Sequence, residues 1–174
     1  MFQRAVFLPL FVIGILLSLG SAATAQVTGV LQAVAVVSSS LTVQGTSQLD
    51  FQTVVPGVDK AVDKATAEAG EFTVAGGGPG AEVQLTFTLP NQLLSGANSM
   101  PVVFSTTDAS YATDVLRTQS PPTAICNPYI VTTANLAADG GMTVWIGGEV
   151  MPSPVQSAGT YSANIELTVT LTGN

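Results

Sequence analysis

Apolar and polar residues alternate with a period of two wherever this chain has a clear pattern, the spacing that sends successive side chains to opposite faces of a β-strand. The cleanest run, residues 82–89, puts Val83, Leu85, Phe87 and Leu89 on one face and stops at Pro90. The last run opens at Gly159 and sets Tyr161, Ala163, Ile165, Leu167, Val169 and Leu171 against a polar face of Ser162, Asn164, Glu166, Thr168, Thr170 and Thr172. Shorter strands are predicted at 41–43, 49–54, 71–74, 100–104 and 142–146. The last of these meets Gly147-Gly148 and continues through 149–151 past a bulge. Pro56-Gly57 and the run 76–80 (Gly-Gly-Gly-Pro-Gly) read as turns. Residues 59–69, rich in Ala, fit either a short helix or a polar loop. From 105 to 138 the pattern weakens into a long excursion, with short strands placed at 114–117 and 129–132. Seven or eight short strands, punctuated by turns and almost without helix, predict an all-β antiparallel sandwich.

One stretch does not fit an ordinary chain terminus. No Asp, Glu, Lys or Arg occurs from Ala5 to Leu49. Residues 1–25 explain part of this as a secretory signal peptide: Arg4 is the basic start, 5–19 the apolar core, and Ala23-Thr24-Ala25 the small-x-small cleavage site. The apolar core is short for a membrane span, so no membrane is expected as a partner after cleavage. Residues 26–40 then become an N-terminal extension ahead of a domain at 41–174. That extension carries Val27, Val30, Leu31, Ala33, Val34, Ala35, Val36 and Val37, with strand composition and no Pro. Burying a Val or Leu side chain is worth roughly 1.5–3 kcal/mol, so its five Val and one Leu represent on the order of 10 kcal/mol before ordering entropy is subtracted. Left in water, it is an aggregation-prone edge. It must complete either its own domain or a neighbour's.

Composition narrows the chemistry. The formal net charge is −7, and without Arg4 three basic residues face eleven acidic ones. That balance argues against nucleic acid or anionic membrane as partner. Histidine is absent, which removes Ser-His-Asp and Cys-His pairs, the commonest general base and most zinc sites. The Gly run at 76–80 lacks the Lys-Ser/Thr of a phosphate loop, and no D-x-D-x-D-G calcium loop occurs. Asp114, Asp139 and Glu149 are the carboxylates that a glycosidase-type pair would draw on, though solvated surface acids are the simpler reading. Trp145 and Tyr161 invite sugar stacking, but each sits in a strand pattern that favours core packing. Cys126 is the single cysteine, read as a buried thiol rather than an intermolecular crosslink. No catalytic residue, metal or cofactor is expected.

Several segments, in order along the chain, resemble the DUF4402 group of secreted pilin-like domains, related to Mat/Ecp-type fimbrial subunits. They are Leu49-Asp50-Phe51-Gln52-Thr53-Val54-Val55-Pro56-Gly57, Gly70-Glu71-Phe72-Thr73-Val74, Leu85-Thr86-Phe87-Thr88-Leu89-Pro90, Trp145-Ile146-Gly147-Gly148, Gly159-Thr160-Tyr161-Ser162 and Leu167-Thr168-Val169-Thr170. Gln52 stands where that group has Gly after the Asp-Phe pair. The resemblance implies an immunoglobulin-like sandwich that lacks one strand and is completed by a donor strand from a neighbouring subunit, a case of strand addition. It implies a cell-surface filament, a pilus or fimbria, made of identical subunits in a head-to-tail homopolymer. A periplasmic chaperone and an outer-membrane usher are the implied assembly partners.

On this reading the donor strand is Val27, Val30, Leu31, Ala33, Val34, Ala35, Val36 and Val37, and Ile165, Leu167, Val169 and Leu171 line part of the acceptor groove. Val30, Val34 and Val36 share one donor face; Val27, Leu31, Ala33, Ala35 and Val37 share the other. The rival reading is a monomeric, secreted binding module, an adhesin or glycan binder, whose N-terminal strand folds into its own groove.

Overall fold

The computed structural model describes residues 40–173 together with Gln32 and Val34. The signal segment 1–25 and the donor residues Val27, Val30, Leu31, Ala33, Ala35, Val36 and Val37 lie outside the described residues. Val34 is described and stands 78% exposed. The chain divides into two units, Met1–Val36 and Val37–Asn174, and every strand reported below belongs to the second.

Twelve strands make up this unit: β1 (Thr42–Ser47), β2 (Lys60–Val62), β3 (Gly70–Ala75), β4 (Glu82–Thr88), β5 (Gln92–Ser95), β6 (Asn98–Val103), β7 (Ala109–Ala112), β8 (Ala124–Cys126), β9 (Thr132–Asn135), β10 (Met142–Ile146), β11 (Gly148–Val150) and β12 (Glu166–Leu171). All pairings are antiparallel, and no helix occurs among the described residues. Three sheets form, with strand orders β1-β3-β10-β7-β8, β2-β11-β6-β5 and β12-β4-β9. The expectation of an all-β antiparallel fold is met, with more and shorter strands than the pattern alone predicts.

Two core clusters follow from this arrangement. The five-stranded sheet brings Val74, Met142 and Val144 to a first cluster with Val83, Leu85, Ala134, Leu136 and Leu167 of the three-stranded sheet and its flanks. Its Ile146 joins a second cluster with Phe51, Val62, Met100, Val102, Phe104 and Val150. Phe72 and Phe87 touch both clusters and meet edge to face, ring centroids 6.4 Å apart, an arrangement aromatic quadrupoles favour. The central strand β10 is buried along its whole length. On its opposite face Trp145, 3% exposed, donates its indole N–H to a Glu71 carboxylate oxygen at 3.0 Å. The Thr46 hydroxyl donates to the other oxygen of that carboxylate at 2.6 Å. Trp145 is therefore a core residue, as its pattern indicates.

Four local expectations are corrected. Residues 49–54 alternate like a strand yet form none, because the Asp50 carboxylate accepts the Gln52 N–H at 2.7 Å and Gln52 takes a left-handed φ of 56°. Such a side-chain turn competes with a ladder. Residues 59–69 hold strand β2 followed by turns, with the Asp63 carboxylate accepting the Ala65 N–H at 2.7 Å. At Gly147 the chain does not bulge but leaves one sheet for another, β10 pairing with β3 and β7 while β11 pairs with β2 and β6. A Cβ at Gly147 would lie 2.3 Å from the Val62 carbonyl oxygen, so only glycine passes there. Residues 114–117 form a turn instead of a strand. The excursion's strands are β7, β8 and β9, of which only β9 overlaps the predicted 129–132.

Candidate functional site

Both ends of the strand assembly matter, and each is built from local chemistry. β4 runs on through Leu89 and Pro90 toward β5, and the closing stretch of the chain flanks both. Glu166 pairs with Thr88, and Ser162 bridges Leu94. On their other side, β12 is the outermost strand of its sheet and β1 the outermost of the five-stranded sheet. Every residue of β1 is exposed.

Between these two outer elements runs a groove of about 1190 Å³. Its floor is the second core cluster: Phe72, Met100, Val102, Phe104, Ile146 and Val150. One wall is residues 45–54. It is positioned by the Asp50 N–H donating to the Glu68 carbonyl at 2.9 Å and by the Asp50 turn, which drives Phe51 inward to 8% exposure. The other wall is residues 156–166. There the Tyr161 hydroxyl donates to the Ser157 carbonyl at 2.8 Å and accepts from Gln156 Nε2 at 2.7 Å. Among the described residues, the backbone groups of Ala163, Asn164 and Ile165 take part in no backbone hydrogen bond. Apolar floor and unpaired backbone wall together make a place where an extended peptide can add as a strand, its side chains filling the floor and its amides pairing with the wall.

The predicted acceptor residues divide. Ile165 lies on the groove wall and packs on the second cluster. Leu167, Val169 and Leu171 share its face but pack into the first cluster, beyond the groove. The floor residues Phe72, Phe104 and Ile146, and Phe51 on the wall, were not among the predicted acceptor residues. Their alternation marked them as buried and carried no sign of which cluster they would join.

Ser40 and Leu41, where the continuous described stretch begins, are held away from most of the groove. The Ser40 hydroxyl donates to the Gly76 carbonyl at 3.5 Å, and Leu41 packs on the first cluster. The groove, in contrast, reaches Gly70 and Phe72. Four to six residues of extended chain separate Phe72 and Gly70 from Gly76, about 13–20 Å at a strand's rise. Ser40 therefore sits past one end of β3, and the groove runs from the other end as far as Phe72.

Asp114, Asp139 and Glu149 do not share one site. Asp139 accepts from Arg117 Nη2 at 2.5 Å, and that bond together with the Gly141 N–H holds its carboxyl below the usual range. Asp114 is likewise held low, chiefly by the Thr118 N–H. Glu149 lies on β11 in a separate cleft with Asp63 and Asp108. Among the described residues, no group of three His, Cys, Asp or Glu side chains is placed to hold a metal ion, and no helix is long and apolar enough to cross a membrane. Cys126 is buried, its thiol pushed up to about 11 by burial, as the buried-thiol reading expects. Neither a protein-family model nor a curated protein matches the chain.

Proposed function

We propose that this protein is the structural subunit of an extracellular filament, its copies joined head to tail by strand exchange. Residues from Val27 to about Val37 of one copy enter the groove of the next, lie against the wall at 156–166, and cover the floor between Phe51 and Ile146. One observation carries this reading: the groove lies toward the Gly70 end of β3, whereas Ser40, the residue that follows the uncharged segment, is held at Gly76 past the other end. A contact between opposite ends of identical subunits is heterologous and does not close on itself, so it propagates as a fibre. A subunit with an apolar groove needs shelter before assembly, which is the role a periplasmic chaperone and an outer-membrane usher would fill. Cleavage after Ala25 would deliver it there.

A second reading rests on chain length. Fifteen residues, 26–40, span about 50 Å when extended, enough to double back about 13–20 Å into the same molecule's groove and give a self-complemented binding module. Leu31→Asp and Val34→Asp, one on each donor face, separate the two by electron microscopy and denaturation. Strand exchange between copies predicts that at least one variant is a folded, secreted monomer that forms no filaments. Self-complementation predicts instead a monomer destabilised by several kcal/mol, about the cost of an unpaired buried charge. Filaments persisting undiminished in both variants would overturn the proposal.

A further inference from the structure

Exposed apolar residues stand at both of these ends, besides others such as Ile125, Tyr129, Ile130 and Val131 on β8 and the loop after it. At the Ser40 end, Val115 is 73% and Leu116 86% exposed. At the groove end, Val55 is 58%, Val58 57% and Val155 88% exposed. Neither set sits on a loose loop. The Asp114 carboxylate accepts the N–H groups of Leu116 and Thr118 and the Thr118 hydroxyl, while Arg117 ties the turn to Asp139. Asp139 adjoins Gly140, whose carbonyl accepts the Gly77 N–H at 3.0 Å, one residue from the Gly76 that holds Ser40. At the groove end, the Val58 N–H donates to the Val55 carbonyl at 3.0 Å, and the Gly57 N–H donates to the Pro152 carbonyl at 3.2 Å. Pro56 and Pro152 line the groove itself. Both apolar tips are thus held in place before any partner arrives, which lowers the ordering cost of a contact.

We propose that the Val115–Leu116 turn of one copy packs against Val55, Val58 and Val155 of the next, sealing the joint around the exchanged strand. The inference rests on the filament reading above, and the partner is a second copy of this chain because of the tether. Only three residues lie between Val37, the last of the donor run, and Leu41, which is anchored on the first cluster. The four Cα–Cα steps reach at most about 14 Å. A donor strand whose Val37 end lies by Pro56 and Pro152 therefore draws the two tips together. Burial explains why five apolar side chains stand in turns that polar residues ordinarily occupy.

The test uses full-length secreted protein. A Leu116→Cys/Val155→Cys double variant, assembled and treated with a flexible bismaleimide that tolerates spacings a direct disulfide does not, should give a ladder of covalent multimers on a denaturing gel. Each single variant should give none, since Cys126 is buried. Filaments of Val115→Ser/Leu116→Ser should release subunits roughly tenfold faster in urea, because two apolar side chains no longer cover the joint, while the monomer's own unfolding is unchanged. Filaments that form normally, yield no ladder and release subunits at the unaltered rate would overturn this contact and leave the strand-exchange reading standing. If the unaltered protein forms no filaments, both fall.

Discussion

The backbones of Leu94 and Ser162 exchange two hydrogen bonds, 2.9 Å from the Leu94 N–H and 3.0 Å from the Ser162 N–H. This one bridge ties the wall at 156–166 to β5, four residues before β12 takes up its own ladder with β4. Ser162→Pro removes one of the donors and forces a ring against the bridge. It should cost about 1–3 kcal/mol by urea denaturation. In hydrogen exchange the Leu94 amide should lose protection while that of Leu85, deep in β4, keeps it. Unchanged protection at Leu94 would mean that the wall is held by its side chains alone.

Gln52 carries the opposite wall through a φ of 56°, a conformation that glycine adopts freely and a β-branched residue resists. Gln52→Gly relieves that strain but gives up an exposed 3.2 Å bond to Glu68 and loosens the unfolded chain. The net change should lie between zero and a gain of about 1 kcal/mol. Gln52→Val should instead lose about 1–2 kcal/mol. Equilibrium denaturation ranks the three. The reverse order would show that the left-handed turn is not kept.

Gly147 runs close beside the end of β2 and the residues after it, where an added methyl carbon would meet Val62 O at 2.3 Å and Lys64 N at 2.8 Å. Both obstacles are backbone. Gly147→Ala should therefore cost about 2–4 kcal/mol, seen as a lowered thermal midpoint. A variant as stable as the parent would imply that β2 moves aside without penalty.

Burial keeps the Cys126 thiol protonated in the native state up to about 11, whereas an unfolded thiol ionises near 9. The folded-state value is the raised one. The stability tied to this proton is fully present below pH 9 and is lost as pH climbs from there through 11. Urea midpoints measured at pH 8, 10 and 11 should fall less steeply for Cys126→Ala than for the parent. Native protein at pH 8 should also resist thiol reagents that label it in denaturant. Rapid native labelling would place the thiol at the surface.

Much of the fold is legible along the chain, and the reason is geometric. A strand with one face buried writes that face as every second residue, so Val83, Leu85 and Leu167, Val169, Leu171 announce themselves, and turns at Gly57 and Gly76 follow from the φ those positions need. Alternation stops at the face of a strand. It does not say which neighbour a strand pairs with, where a short polar side chain such as Asp50 will capture the backbone, or where Gly147 lets the chain cross between sheets. The same limit explains the acceptor residues. Ile165, Leu167, Val169 and Leu171 lie on one face, yet the fold holds two core clusters, and only packing against the second cluster sets Ile165 in the groove while its three companions close the first. Local periodicity depends on a residue's own neighbours in the chain; the groove, its two walls and its distance from Ser40 depend on contacts between residues far apart in sequence, which no periodic pattern encodes.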